Sequence, residues 1–156
     1  MASELHHFHL SFKQRPFRQM KSVEMSNFAL QLIEMKVYHN PSCSKSRLCV
    51  DYLSNANHDF DVRNHLKNPL SVDELQDLLT KLNMKPSQLV RRNEVIFKEA
   101  QKATMLTEDE ILQLMADNPK LIERPIVEVN GNAVLARPIE VLEPFLQIEL
   151  NRITRK

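Results

Sequence analysis

The stretch Met35-Lys36-Val37-Tyr38-His39-Asn40-Pro41-Ser42-Cys43-Ser44-Lys45-Ser46-Arg47 decides how this chain reads. Ile33, Met35 and Val37 alternate with Glu34, Lys36 and Tyr38, the period-two pattern of a short strand. Asn40-Pro41-Ser42 supplies turn and cap chemistry, so a helix is expected from about Cys43 to Ser54. Leu48, Cys49, Tyr52 and Leu53 recur at helical spacing and form its expected apolar face. Cys43 thus stands where a strand hands over to a helix.

Working outward, Phe60 to Arg63 reads as a second short strand, and Lys67-Asn68-Pro69 breaks the chain. Residues 71 to 121 read as helical. Ser71-Val72-Asp73-Glu74 and Thr107-Glu108-Asp109-Glu110 are capping boxes. The first leads into Leu75, Leu78, Leu79 and Leu82, and the second into Ile111, Leu112, Leu114 and Met115. Shorter helices are expected from Pro86 to Val90 and from about Glu94 to Ala103. Ile126 to Val129 and Ala133 to Ala136 pair across Asn130-Gly131, a type I′ turn signal. Pro138 fits the first turn of a closing helix carrying Val141, Leu142, Phe145 and Leu146, with a kink expected at Pro144. The order is strand, helix, strand, helical segment, hairpin, helix. That is an α/β, thioredoxin-like arrangement: a small mixed sheet flanked by helices, with a helical insert at about 69–121 between the βαβ and ββα halves. The domain is expected over 34–150.

Residues 1–33 differ from the rest. They hold His6, His7 and His9, scattered basic residues and no sustained periodicity, and read as a solvated extension or a misplaced start, with Met25 and Met35 as alternative first residues. The three histidines lack carboxylate or cysteine partners, so no metal is expected there.

Composition excludes several classes. Of 156 residues, 21 are basic and 20 acidic, a net charge of +1, which leaves no bulk charge to drive nucleic-acid or lipid binding. No run approaches the ~18 apolar residues of a membrane span. A single glycine excludes the glycine-rich phosphate loops, and two cysteines exclude a disulfide scaffold.

A thiol at a helix start meets free N–H groups and partial positive charge, which favour the thiolate. His39, Lys45 and Arg47 add basic groups nearby, and Ser46 lies on the same side and offers a hydroxyl donor. Cys49 is six residues on, ~9 Å along the helix and on the apolar stripe, too far for a disulfide with Cys43. It reads as core. The motif is therefore Cys-x-x-Ser with one reactive sulfur, and a redox cycle must take its second thiol from another molecule. In a reducing cytoplasm, glutathione or a glutaredoxin supplies it.

Arg91, Arg124 and Arg137 sit at element boundaries rather than on solvent faces of helices. Guanidinium forks suit oxyanions, and an Arg before Pro is held near an extended backbone, which helps to aim it. Spacing alone does not bring the three together. In the thioredoxin-like arrangement a proline before the third strand faces the thiol, which makes Arg124-Pro125 a candidate cis peptide.

Five blocks in order carry a family resemblance: Tyr38 to Arg47; Leu66-Lys67-Asn68-Pro69; Leu89-Val90-Arg91-Arg92-Asn93; Leu121-Ile122-Glu123-Arg124-Pro125-Ile126-Val127; and Ala136-Arg137-Pro138. From about Met35 to Leu146 the chain resembles the glutaredoxin-coupled arsenate reductases, the ArsC-like family. The resemblance implies Cys43 as nucleophile, Arg91, Arg124 and Arg137 as oxyanion ligands, and His39 as an aid to thiol ionisation. It also implies arsenate as substrate, a covalent thiol–arsenate adduct, and glutathione and glutaredoxin as reductants with no bound cofactor. A cytoplasmic monomer is the expectation. Ser44-Lys45 departs from the Gly-Thr that many members carry after the cysteine, which bears on the substrate more than on the chemistry. Three other readings compete: a redox-inert scaffold with a vestigial site, and two that keep a function. One is a glutathione-linked thiol oxidoreductase with a different substrate. The other is an Spx-type regulator that binds RNA polymerase, a class that typically carries Cys-x-x-Cys where this chain has Ser46.

Overall fold

The computed structural model describes residues 33–154; the extension read at 1–33 lies, but for its last residue, outside the described residues. Strand β1 (Met35–His39) leads into helix α1 (Ser44–Asn55) and strand β2 (Asp61–Asn64). Helices α2 (Val72–Leu82), α3 (Pro86–Leu89), α4 (Val95–Ala103) and α5 (Glu108–Asp117) follow, and a 3-10 turn covers Pro119–Leu121. Strands β3 (Ile126–Val129) and β4 (Asn132–Leu135), a 3-10 turn (Ile139–Val141) and helix α6 (Leu142–Thr154) complete the order. The sheet runs β2-β1-β3-β4, with β1 parallel to β2 and β3 antiparallel to both β1 and β4. This is the mixed sheet of a thioredoxin-like fold, with the α2–α5 helices inserted between its halves.

Alternation along the strands divides the core in two. Met35, Val37, Val127 and Val129 pack with Cys49 and Leu53 of α1 and Leu142 and Leu146 of α6. Tyr38 and Ile126 point the other way, onto Leu75, Leu78 and Leu79 of α2, Phe97 and Met115. The central strands are therefore covered on both faces, and Tyr38 is buried where a half-exposed strand would carry a polar residue. Its hydroxyl donates to Glu128 at 2.8 Å, and Lys81 donates to the same carboxylate at 2.8 Å.

Local signals explain the ends of these elements. Ser71 Oγ accepts from the Glu74 N–H at 3.1 Å while Glu74 accepts from the Ser71 N–H at 2.9 Å, closing the first capping box. Thr107 and Glu110 do the same at 3.3 and 2.7 Å. At the β3–β4 turn, Asn130 and Gly131 both hold positive φ, 48° and 83°, as a type I′ turn demands.

Three local expectations are corrected. The buried stripe of α1 is Ser46, Cys49 and Leu53, while Leu48 is exposed; at ~100° per residue, Leu48 points away from that stripe. Pro138 caps the Ile139–Val141 turn instead of opening the last helix, and its bond to Arg137 is cis. Pro144 lies in the first turn of α6, where its missing N–H has no partner to lose, so it does not interrupt the helix.

Candidate active site

The β1–α1 junction is built by Asn40. Its carbonyl accepts from the Cys43 N–H and its Oδ1 from the Ser42 N–H, both at 2.9 Å. Arg47 Nη1 donates to the Pro41 carbonyl at 2.9 Å and braces the loop from the helix side. Cys43 is the N-cap residue of α1, with extended backbone (φ −95°, ψ 121°). Its sulfur therefore lies toward the N–H groups of Lys45 and Ser46 in the first turn, although it closes no cap hydrogen bond.

Burial of the Cys43 thiol works against ionisation, but other groups outweigh it. The backbone N–H groups of Ser46 and Lys45, the Ser46 hydroxyl and the Arg124 guanidinium together hold its pKa below the ordinary value. Ser46 Oγ is fully buried and makes no hydrogen bond to any other group, so its hydroxyl is free to serve the Cys43 thiolate. Cys49 is the opposite case: burial pushes its thiol up to about 12, and both cysteines are free.

His39, at the end of β1, is held below its ordinary pKa by burial and by the charge of Arg47, so it is neutral at pH 7. Beside it lies a residue that no spacing or motif singles out. His65 follows β2 directly, is 1% exposed, and both its ring nitrogens lack hydrogen-bond partners. Burial, together with the charges of Arg124, His39 and Arg63, pushes its pKa down to about 4.

The three arginines are linked through one short segment. Arg124 is buried, and its Nη1 donates to the carbonyls of Lys120 at 3.0 Å and Ile122 at 3.2 Å. Arg91 Nη1 donates to the same Lys120 carbonyl at 3.3 Å. Arg137 Nη1 donates to Glu123 at 2.9 Å, and Arg91 Nε lies 4.0 Å from that same carboxylate oxygen. Arg91 also pairs with Glu94. An antiparallel bridge at Val90 and Ile122 sets the Arg91 segment beside this one, with Arg91 N–H donating to Leu121 and Glu123 N–H to Leu89. Both Arg124-Pro125 and Arg137-Pro138 are cis peptides, and the Ala136 N–H ties the second segment to the Pro125 carbonyl at 2.9 Å. Sequence reading proposed these arginines one by one; the 3-10 turn and the bridge that join them are invisible to spacing. Glu94 and Glu123, which pair with them, were not singled out either.

A model of the ArsC family matches residues 38–145, the whole span from the β1–α1 loop into the last helix. The chain belongs to the ArsC family. An arsenate reductase of Neisseria meningitidis is 36% identical over 72% of this chain and 98% of its own length. A protein of Escherichia coli K12, YfgD, of uncharacterised function, is 43% identical over 70% of this chain and 95% of its own. Among solved structures, an arsenate reductase from Vibrio cholerae shares 38% identity with a TM-score of 0.67, covering 71% of this chain and 97% of that one. The ArsC match and these neighbours account for the thioredoxin-like sheet and its helical insert. Among the described residues no helix is long and apolar enough to cross a membrane, and no cluster of three or more His, Cys, Asp or Glu side chains could hold a metal ion.

Proposed function

We propose that this ArsC-family protein is an arsenate reductase that uses Cys43 as its nucleophile and glutathione with glutaredoxin as its reductants. The observation that carries the reading is the linkage of Arg124, which lowers the Cys43 pKa, through Lys120 and Glu123 to Arg91 and Arg137. One acidified sulfur beside the Arg124 guanidinium, with Arg91 and Arg137 linked to that arginine's segment, suits attack on a small oxyanion. The arsenate reductases at 34–36% identity support the substrate.

In the proposed cycle the Cys43 thiolate attacks arsenic(V). A sulfur–arsenic bond forms, and one arsenate oxygen leaves as water after protonation. The arginines carry the remaining oxygen charge. A glutathione thiolate then attacks the Cys43 sulfur, and the sulfur–arsenic bond breaks with its electron pair passing to arsenic. Arsenite leaves as arsenic(III), and Cys43 is left in a mixed disulfide with glutathione. A glutaredoxin thiol attacks the glutathione sulfur and restores the Cys43 thiolate. Two thiols are oxidised for each arsenic reduced, and Cys49, buried in the sheet core, takes no part.

The test is arsenate-dependent NADPH oxidation with glutathione, glutaredoxin and glutathione reductase present. Turnover is expected with the natural chain and absent in Cys43→Ser. Turnover that survives Cys43→Ser would refute the mechanism, and a natural chain that alkylates readily at Cys43 but ignores arsenate would favour a different oxidised substrate. The 43% identity to YfgD is the observation behind that second reading.

A further inference from the structure

Glu123 stands between two of the arginines that the proposed function assigns to oxyanion binding. Its carboxylate accepts from Arg137 Nη1 at 2.9 Å and faces Arg91 Nε at 4.0 Å. The Val90–Ile122 bridge and the Glu123 N–H bond to Leu89 fix its backbone opposite the Arg91 segment. Arg91 and Arg137 keep 27% and 46% of their side-chain surface, so an anion from solvent can reach both. Arg124 differs, being buried with Nη1 committed to backbone carbonyls. A carboxylate set between two guanidinium forks makes the contacts that an oxyanion would make.

We infer that the Glu123 carboxylate is an internal counter-anion, holding Arg91 and Arg137 in place until an incoming oxyanion displaces it. The inference rests on the oxyanion reading of the site. It makes Glu123 a positioning and specificity residue. Glu123 lowers the net positive charge that the arginines alone would give, so the site does not collect every passing anion. A tetrahedral oxyanion offers more acceptor oxygens than a carboxylate and gains from the exchange, whereas a small monoanion such as formate only replaces what is already there.

Competition and bracing predict opposite signs, which makes the inference testable. The full chain, Glu123→Gln and Glu123→Ala are alkylated with iodoacetamide at rising sulfate, and each rate is scaled to the same protein without sulfate. Sulfate is inert to the thiol and reports occupancy of the site alone. If Glu123 competes with the oxyanion, the sulfate concentration that half-protects Cys43 falls in both variants, by about two- to fivefold as expected for a part-exposed ion pair. If the half-protecting concentration is unchanged or rises in both, Glu123 only braces the arginines and the inference is overturned. A natural chain that sulfate does not protect at any concentration would instead remove the oxyanion site itself, and the inference with it.

Discussion

Arg91 and Arg124 donate to one acceptor, the carbonyl oxygen of Lys120, at 3.3 and 3.0 Å. Two like charges are thus brought together by a single 3-10 turn, Pro119–Leu121, whose Lys120 carbonyl accepts from both. Their repulsion is offset by Glu94 and Glu123 around Arg91 and by the Lys120 and Ile122 carbonyls around Arg124. The pair then differs in one respect that matters for chemistry: Arg124 is buried and lowers the Cys43 pKa, whereas Arg91 keeps 27% of its side-chain surface and faces two carboxylates.

That difference separates two variants. Arg124→Ala is expected to weaken oxyanion binding and also raise the Cys43 pKa. Arg91→Ala is expected to weaken oxyanion binding while leaving the pH dependence of Cys43 alkylation in place. For a charge-assisted contact, either loss should cost about 1.5–3 kcal/mol, roughly 10- to 150-fold in kcat/KM for arsenate. Steady-state kinetics and the pH profile of iodoacetamide alkylation check the pair. An identical alkylation profile in both variants would contradict the division of roles.

Ser46 is the only fully buried hydroxyl on the α1 stripe, and it makes no hydrogen bond of good geometry. Ser46→Ala should therefore leave stability unchanged or raise it slightly, by up to ~1 kcal/mol, because no good hydrogen bond is lost. The same change should raise the Cys43 pKa and slow alkylation at neutral pH. Thermal unfolding and alkylation rates together make the check, and a stability loss with unaltered reactivity would assign Ser46 a packing role alone.

His65 sets a pH dependence of folding. Unfolded, its pKa is ~6.5; folded, it falls to about 4. Between those values the unfolded chain takes up a proton that the folded chain refuses, so stability falls as pH drops from 6.5 to 4. The cost is ~3 kcal/mol at most. Denaturant unfolding across that range should show the fall, and His65→Leu should flatten it. A slope unchanged in His65→Leu would place its origin in other groups.

Most of the fold was legible because its signals are local. Strand alternation in Met35 to Tyr38, the capping boxes at Ser71 and Thr107, and Asn130-Gly131 each act within a few residues, and each element stands where its signal put it. The errors came where tertiary packing overrides a local rule. Leu48 was placed on the buried face of α1 by hydrophobicity, but the sheet takes Ser46, Cys49 and Leu53. Pro138 looked like a helix opener, but a cis bond and a 3-10 turn precede the helix. At the candidate site, the residue types could be read and their meeting could not. Arg91 and Arg124 share an acceptor only because the chain doubles back through the α4–α5 insert. His65 carries no motif, and its burial beside Arg124 comes from the pairing of β2 with β1.

The most direct test of the account is a pH titration of the two thiols in the full chain, followed by thiolate ultraviolet absorbance and assigned with Cys43→Ser and Cys49→Ala. Cys43 is expected to ionise below the ~8.5 of a free cysteine, and Cys49 only near 12, where unfolding does not expose it first. Ionisation of Cys43 at or above the free value would contradict the claim that the helix start, Ser46 and Arg124 together make this sulfur the nucleophile.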